Sequence, residues 1–507
     1  MQRRTLLGTI AALPALTAGG RPARADQSSD TLRITWRDAI PDIDPYRNNL
    51  RTGLTVTHEA WDTLVYRDPD SFENVPLLAT DWKWVDPKTL DFTLRQGVKF
   101  HNGDPFTADD VVYTFTTIKG DPKVMIPSQF AFIKSVQKID DFHVRFTFNS
   151  VFPAALQYFA MVLPIYPQAY REKVGHDAFS QHPVGSGPYK ITLVNGSSEI
   201  DLERFDGYWA GSPKGRPAIR YLKITEVEED TDALTAFISG QTDWIWKFNP
   251  DQFQNLASLP GKKAVQGPTM RIVFLSMDTA GRTGKDNPLT NVKVRQAIAH
   301  AIDRASIATN LVQGGSQPIA TPCYPGQFGC DVSAAVDYPY DPAKAKALLA
   351  EAGYPNGFST SFTSYLLPAW NAAIQNYLQA VGIKADVEQL QVGAAIAKSN
   401  AGQTPLFAGS WGSNSINDVS AILPYYFGGG PADYVRDPTL AQIIKAGDTG
   451  DNAQVREQDY AQAIQRITAA ADWLPLFTYV DNYAFDSHLD FTPYKDELPR
   501  FYLCKWI

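Results

Sequence analysis

An α/β fold is what this sequence predicts, on three observations. Segments with strand-like and helix-like apolar periodicity alternate along most of the chain. Composition is globular: of 507 residues, 44% are apolar, 20% charged and 12% aromatic, with 35 Gly and 35 Pro. No internal repeat and no low-complexity linker interrupts it, so a solenoid, a fibre and a mainly disordered chain are excluded. At about 150 residues per domain, the length corresponds to roughly three domains.

The elements follow in order. Leu32-Arg-Ile-Thr-Trp36 and Leu90-Asp-Phe-Thr-Leu94 alternate as strands do. Thr107-Ala-Asp-Asp110 is a capping box that opens a helix from Val111 to Ile118. His143 to Phe148 alternates again, and 189–194, 200–205 and 219–225 make three more strands separated by Gly, Asn and Pro turns. Thr231 to Ile238 reads as a helix stopped by Gly240. In Val292 to Ala301, Val294, Ile298 and Ala301 share one helical stripe. Asp341-Pro342 supplies an N-cap with proline in the first turn, and Gly353 ends that helix. Ala372 to Val381 ends at Gly382 before the strand Ile383 to Val387. Val455 to Ala471 is the longest amphipathic helix and leads into the apolar strand Leu474 to Val480.

The first 25 residues stand apart as an export signal. Arg3 and Arg4 precede the apolar run Thr5 to Ala18, and Ala23-Arg-Ala25 offers small residues at a cleavage site. The run is shorter than the roughly 20 residues a membrane span needs. The arginine pair resembles a twin-arginine signal; the alternative is a general secretory signal with an incidental pair. Either expectation places the mature chain outside the cytoplasm as a soluble periplasmic protein. Removing 1–25 takes four arginines and no acid, so 46 Lys+Arg become 42 against 54 Asp+Glu, a charge of −12. That balance argues against a nucleic-acid partner. Cys323 and Cys330 flank a loop-like Tyr-Pro-Gly-Gln-Phe-Gly; export favours a disulfide over two free thiols, and Cys504 is left over.

Motifs of covalent chemistry are missing. Gly409-Ser-Trp-Gly412 lacks the spacing of a nucleophile elbow, and His58-Glu59 has no second histidine three residues on. Gly284-Lys285 is followed by Asp286, which breaks the phosphate-loop pattern. Gly185-Ser-Gly187 leads into a strand, with no helix N-terminus to hold a phosphate. His176 and His182, six apart in turn-like sequence, read as surface histidines. No catalytic residue, metal ligand or cofactor is assigned. An exported glycan- or peptide-processing hydrolase is the alternative function.

Four stretches together resemble the peptide/nickel-type family of extracytoplasmic solute-binding proteins of ABC importers. They are Leu78-Ala-Thr-Asp-Trp82 running through Leu94 to Val112, Pro183-Val-Gly-Ser-Gly-Pro-Tyr-Lys-Ile191, Val292 to Ile298 with Ala301-Ile-Asp-Arg304, and Tyr340-Asp-Pro to Gly353-Tyr354. The resemblance implies a two-lobed, hinged periplasmic-binding-protein fold with an extra inserted domain. Lobe I would comprise 26–58, 184–270 and 480–507, the extra domain 59–183, and lobe II 271–479. It further implies a monomer that closes on a small solute and hands it to a permease complex in the inner membrane.

Relatives that bind short peptides hold the α-ammonium with an aspartate three residues after a tryptophan. Here the tryptophan is Trp411, followed by Gly412, but the aspartate's place holds Asn414. An amide accepts a hydrogen bond without neutralising charge, and Asp418 is offered instead from four residues on. The carboxylate-holding arginine would fall near Leu367 to Trp370, which has no basic residue. The expected ligand is therefore not an ordinary dipeptide but a peptide-like, opine-like or oligosaccharide solute. By the resemblance, Trp370, Trp244, Trp246 and Asn48 also approach the cleft. The alternatives are core packing for the tryptophans and a solvated turn for Asn48.

Overall fold

Alternation of apolar and polar residues turns the first described segment into β1 (Thr31–Trp36), with Leu32, Ile34 and Trp36 buried. The computed structural model describes residues 30–48 and 50–507; the expected export signal, 1–25, lies outside them. Nine further strands join β1 in one sheet: β2 (Tyr189–Asn195), β3 (Glu199–Arg204), β4 (Tyr221–Glu226), β5 (Trp244–Trp246), β6 (Lys262–Met277), β7 (Phe358–Ser364), β8 (Ile383–Gln389), β9 (Leu406–Trp411) and β10 (Trp473–Asp486). Their order is β8-β7-β9-β6-β10-β5-β1-β4-β3-β2. β1 runs parallel to β4 and β5, and β7 parallel to β8 and β9, while the central pair β6/β10 is antiparallel. The result is a mixed α/β architecture, as the periodicity predicts.

The centre of the sheet divides two sets of buried side chains. On one side Leu32, Ile224, Trp244, Tyr483 and Phe485 share a core with a second, four-stranded sheet, Ala79–Asp86, Thr89–Leu94, His143–Phe148 and Ile133–Asp140. On the other side Val273, Leu275, Ile298, Phe362, Leu474 and Phe477 form a separate core. Among the described strands, only β6 and β10 run through both. Their pairing is regular from Lys262↔Asp486 to Pro268↔Val480 and resumes at Ile272↔Thr478, so Thr269, Met270 and Arg271 bulge opposite Tyr479. Pro268 cannot donate to the ladder, which favours an interruption there. The displaced groups find other partners: Met270 N donates to Lys495 O at 2.7 Å, and Thr269 Oγ1 to Tyr479 O at 2.8 Å.

Local chemistry fixes the ends of the elements. The Thr107 capping box is made, with Asp110 accepting from Thr107 N, and its helix spans Ala108–Gly120. Asp341 caps the helix Pro342–Glu351, and Gly353 follows at φ 93°. Gly187 approaches the Ala60 backbone so closely that a Cβ would stand 2.6 Å from it. Some boundaries differ from the periodicity. The helix expected from Ala372 starts at Pro368, whose missing N–H suits a first turn. The strand expected to end at Val480 continues to Asp486, because Asp481 and Asn482 are buried despite their polarity.

Candidate ligand-binding site

The seam between the two cores is built around the segment that leaves β9. Ser413, Asn414 and Ser415 all have left-handed backbones, φ 51°, 47° and 64°. For L-residues that conformation costs roughly 1–2 kcal/mol each, so other contacts must hold it. Ser415 Oγ accepts from Arg51 Nη1 at 2.5 Å and donates to Asp496 O at 2.6 Å, and Arg67 donates to the Ser415 carbonyl. Arg51 and Arg67 belong to the N-terminal part of the chain and Asp496 to its last segment. Ile416 is likewise buried in the core of that side. The loop therefore clasps the opposite half of the molecule.

Charge concentrates at the same seam. Glu497 receives Arg271 through two bonds, Nε to Oε1 at 2.6 Å and Nη2 to Oε2 at 2.9 Å, and Arg51 Nη2 at 2.9 Å. Burial alone would raise the Glu497 carboxyl, but Arg271 and Arg51 hold it at about 2. Asp496 is gripped by Arg67 and Arg500, each within 2.7 Å. Gly412 passes beside this cluster, where a Cβ would lie 2.5 Å from Glu497 Oε2 and 2.9 Å from Arg51 Nη2. That close approach is why the residue after Trp411 has no side chain.

Asp481, on β10, and Lys247, at the end of the neighbouring β5, form no ion pair with each other among the described residues; Lys247 N donates to Asn482 O at 2.7 Å. Asp481 is fully buried; its Oδ2 accepts only a long bond from Tyr483 Oη at 3.4 Å, and Oδ1 has no partner. Burial pushes its carboxyl up to about 6, with Lys247 the largest opposing charge. Lys247 follows β5 at φ 57°, with its ammonium 4.4 Å from the Trp246 ring centroid.

The residues expected to line the cleft divide. Trp411 stacks on Tyr425 at 4.6 Å and 17°, and its buried Nε1 has no partner. It borders a cavity of about 40 Å³ with Tyr365, Ser410, Asn400 and Tyr426. Gly412 and half-buried Asn414 stand at the seam, and Trp246 lies buried beneath Lys247. Asp418 is committed elsewhere: Arg456 Nη2 donates to both its oxygens at 2.8 Å. Trp370 packs edge-on against Phe477 and Tyr479 in the core, and Trp244 against Phe491 and Phe501. Asn48 is buried, donating to the Asp42 and Asp44 carbonyls and so folding its own loop. Cys323 and Cys330 form a disulfide, while Cys504 is a buried free thiol. Sequence reasoning passed over Arg51, Arg271, Lys247, Asp481 and Glu497. The available signal was a charge set inside an apolar strand, as in Arg271 before Ile-Val-Phe-Leu and Asp481 after Phe-Thr-Tyr-Val.

Residues 73–433 match the family described as bacterial extracellular solute-binding proteins, family 5 (middle). The chain belongs to this family. It is an extracellular solute-binding protein of family 5, a family that binds solutes without catalysis. It is 31% identical over 330 residues to Heme-binding protein A of Haemophilus influenzae, covering 60% of this chain and 58% of that protein. It is 26% identical over 462 residues to Glutathione-binding protein GsiB of Pectobacterium atrosepticum, covering 86% of each. Among solved structures it resembles the periplasmic binding protein DppA of Helicobacter pylori in complex with the peptide STSA. There the TM-score is 0.83 at 24% identity, covering 94% of this chain and 98% of that one. It also resembles MoaA of A. tumefaciens in complex with mannopinic acid, with a TM-score of 0.81 at 21% identity, covering 94% and 98%. These two share its fold. Among the described residues, no helix of this family-5 protein is long and apolar enough to cross a membrane.

Proposed function

We propose that this protein captures a peptide-like solute at the seam, by closure of two lobes that bend about β6 and β10. One lobe comprises 26–58, 184–270 and 480–507 with the extra domain 59–183 attached, and the other 271–479. The observation that carries the reading is the crossing pair itself: two strands bridge separate cores and carry a bulge at Thr269–Arg271, where a bend is easiest. A solute bound more tightly by the closed form shifts the equilibrium toward it, by no more than that difference in affinity. The closed form then docks on an ABC permease of the inner membrane. Export to the periplasm through a twin-arginine signal at 1–25 belongs to the same proposal.

The ligand is charged but is not an ordinary dipeptide. Asn414 cannot neutralise an ammonium, and Asp418 is consumed by Arg456. Arg51, Arg67, Arg271, Arg500 and Lys247 outnumber Asp481, Asp496 and Glu497 at the seam, which favours a solute bearing carboxylate over a neutral oligosaccharide. Trp411, Gly412, Asn414 and Trp246 are the contact residues in this proposal. Two ligands that the relatives' names print, glutathione and mannopinic acid, are peptide-like and opine-like and carry carboxylates.

A thermal-shift screen across free dipeptides, γ-glutamyl peptides, opines and oligosaccharides tests this. A true ligand at 100 times its Kd stabilises by about 2.7 kcal/mol, and X-ray scattering should show contraction on binding. Micromolar binding of several free dipeptides, or scattering unchanged by a tight ligand, contradicts the proposal.

A further inference from the structure

Among the described residues most charges at the seam are paired, but buried Asp481 and half-buried Lys247 are not. Asp481 lies on β10 opposite Gly267, at the last regular stretch before the bulge. It is fully buried with Oδ1 unpartnered. Across the sheet, Lys247 N donates to Asn482 O at 2.7 Å, which brings the backbones of the two residues side by side. Yet the Lys247 ammonium forms no ion pair or side-chain hydrogen bond among the described residues and rests on the face of Trp246. A pair kept for stability would close to salt-bridge distance, as Asp496 does with Arg67 and Arg500. Here an acid and a base are held near one another and kept apart.

Two further features mark the place as a site. Lys247 holds a left-handed backbone that costs a non-glycine residue free energy, and such outliers persist where surrounding structure enforces them. A buried carboxylate oxygen with no donor is also costly, so its retention calls for a partner absent from the chain itself. The charges of Glu497, Arg271 and Arg51 act on the same carboxylate, but these three are hydrogen-bonded to one another.

We propose that Lys247 and Asp481 form a subsite for a zwitterionic amino-acid head group, Asp481 taking its ammonium and Lys247 its carboxylate over the Trp246 ring. The inference rests on the reading of the seam as a closing solute site, since Asp481 is reached only when the lobes part. An ordinary peptide carries its two charges at opposite ends. A γ-glutamyl conjugate or an N-substituted amino acid of the opine type carries both on one carbon and fits. The subsite also supplies the negative charge that Asn414 does not.

Calorimetry with γ-glutamylglycine, its N-acetyl derivative, its α-methyl ester and an N-carboxyalkyl amino acid provides the test, with Asp481→Asn and Lys247→Gln beside the wild type. We expect at least one head-bearing compound to bind, and N-acetylation or esterification to weaken it by 30-fold or more. Asp481→Asn should erase the penalty for acetylation, and Lys247→Gln the penalty for esterification. The melting temperature of neither unliganded variant should fall, which separates a ligand contact from a structural one. Binding that is equal in wild type and both variants overturns the subsite and leaves solute capture standing. Silence of the wild type toward every head-bearing compound also overturns it. Capture as such is judged separately, by whether any other solute contracts the molecule in scattering.

Discussion

Asp496 and Asp481 are both buried acids at one seam, and they meet opposite fates. Arg67 and Arg500 surround Asp496 and hold its carboxyl well below the ordinary range against the effect of burial. Asp481 has burial without such partners, and its carboxyl rises to about 6. Desolvation is common to both; the partners decide the sign. A saturated cluster locks pieces of the chain together, whereas an unsaturated one leaves charge for a ligand to satisfy.

The most severe way to break this comparison is to remove the saturated acid. Asp496→Ala leaves Arg67 and Arg500 buried without a counter-charge, and urea denaturation should show a loss of about 3–5 kcal/mol. Asp481→Asn should act in the other direction. An acid whose folded pKa is raised contributes favourably below its unfolded value, near 3.8, and loses that as pH rises through about 6. The variant should therefore gain on the wild type by about 1–3 kcal/mol between pH 4 and pH 7.5. A variant less stable than wild type at pH 7.5 would show Asp481 to be structural.

His58 extends the contrast to a base. Burial first, then Lys214 and Arg500, lower its pKa to about 3, and Nε2 lies 2.9 Å from Met161 O. The neutral ring is the native form, so its contribution is complete above the unfolded pKa near 6.5 and declines as pH falls toward 3. At pH 5 that loss is about 2 kcal/mol. It is read as the difference between wild type and His58→Gln, because Glu59, raised by burial to about 8, titrates in the opposite sense. The smallest effect is expected at the strained turn. Ser413→Gly relieves one left-handed residue at the cost of chain entropy, raising stability by at most about 1 kcal/mol in thermal denaturation.

Much of the fold was legible because local rules and burial agree. The capping box at Thr107, the proline start at Pro342 and the alternation in β1 appear where the residues place them. β6 was missed because Lys262, Lys263, Gln266 and Pro268 hide a strand whose second half alone is apolar. The site was less legible. A local pattern proposes Trp411 and Gly412, which stand at the seam, but Asp418, offered by the same stretch, is spent on Arg456, 38 residues away.

The sequence by itself determined the alternation of strands and helices, the caps, the acidic balance and the absence of motifs for covalent chemistry. These depend on neighbours within a few residues, which periodicity and propensity report. Only the tertiary structure decided which charges are satisfied: Glu497 meets Arg51 446 residues away, while Lys247 and Asp481 are drawn together and left unpaired. Pairing of that kind depends on distances between remote parts of the chain and on the loss of water around them, and neither is written in the order of residues.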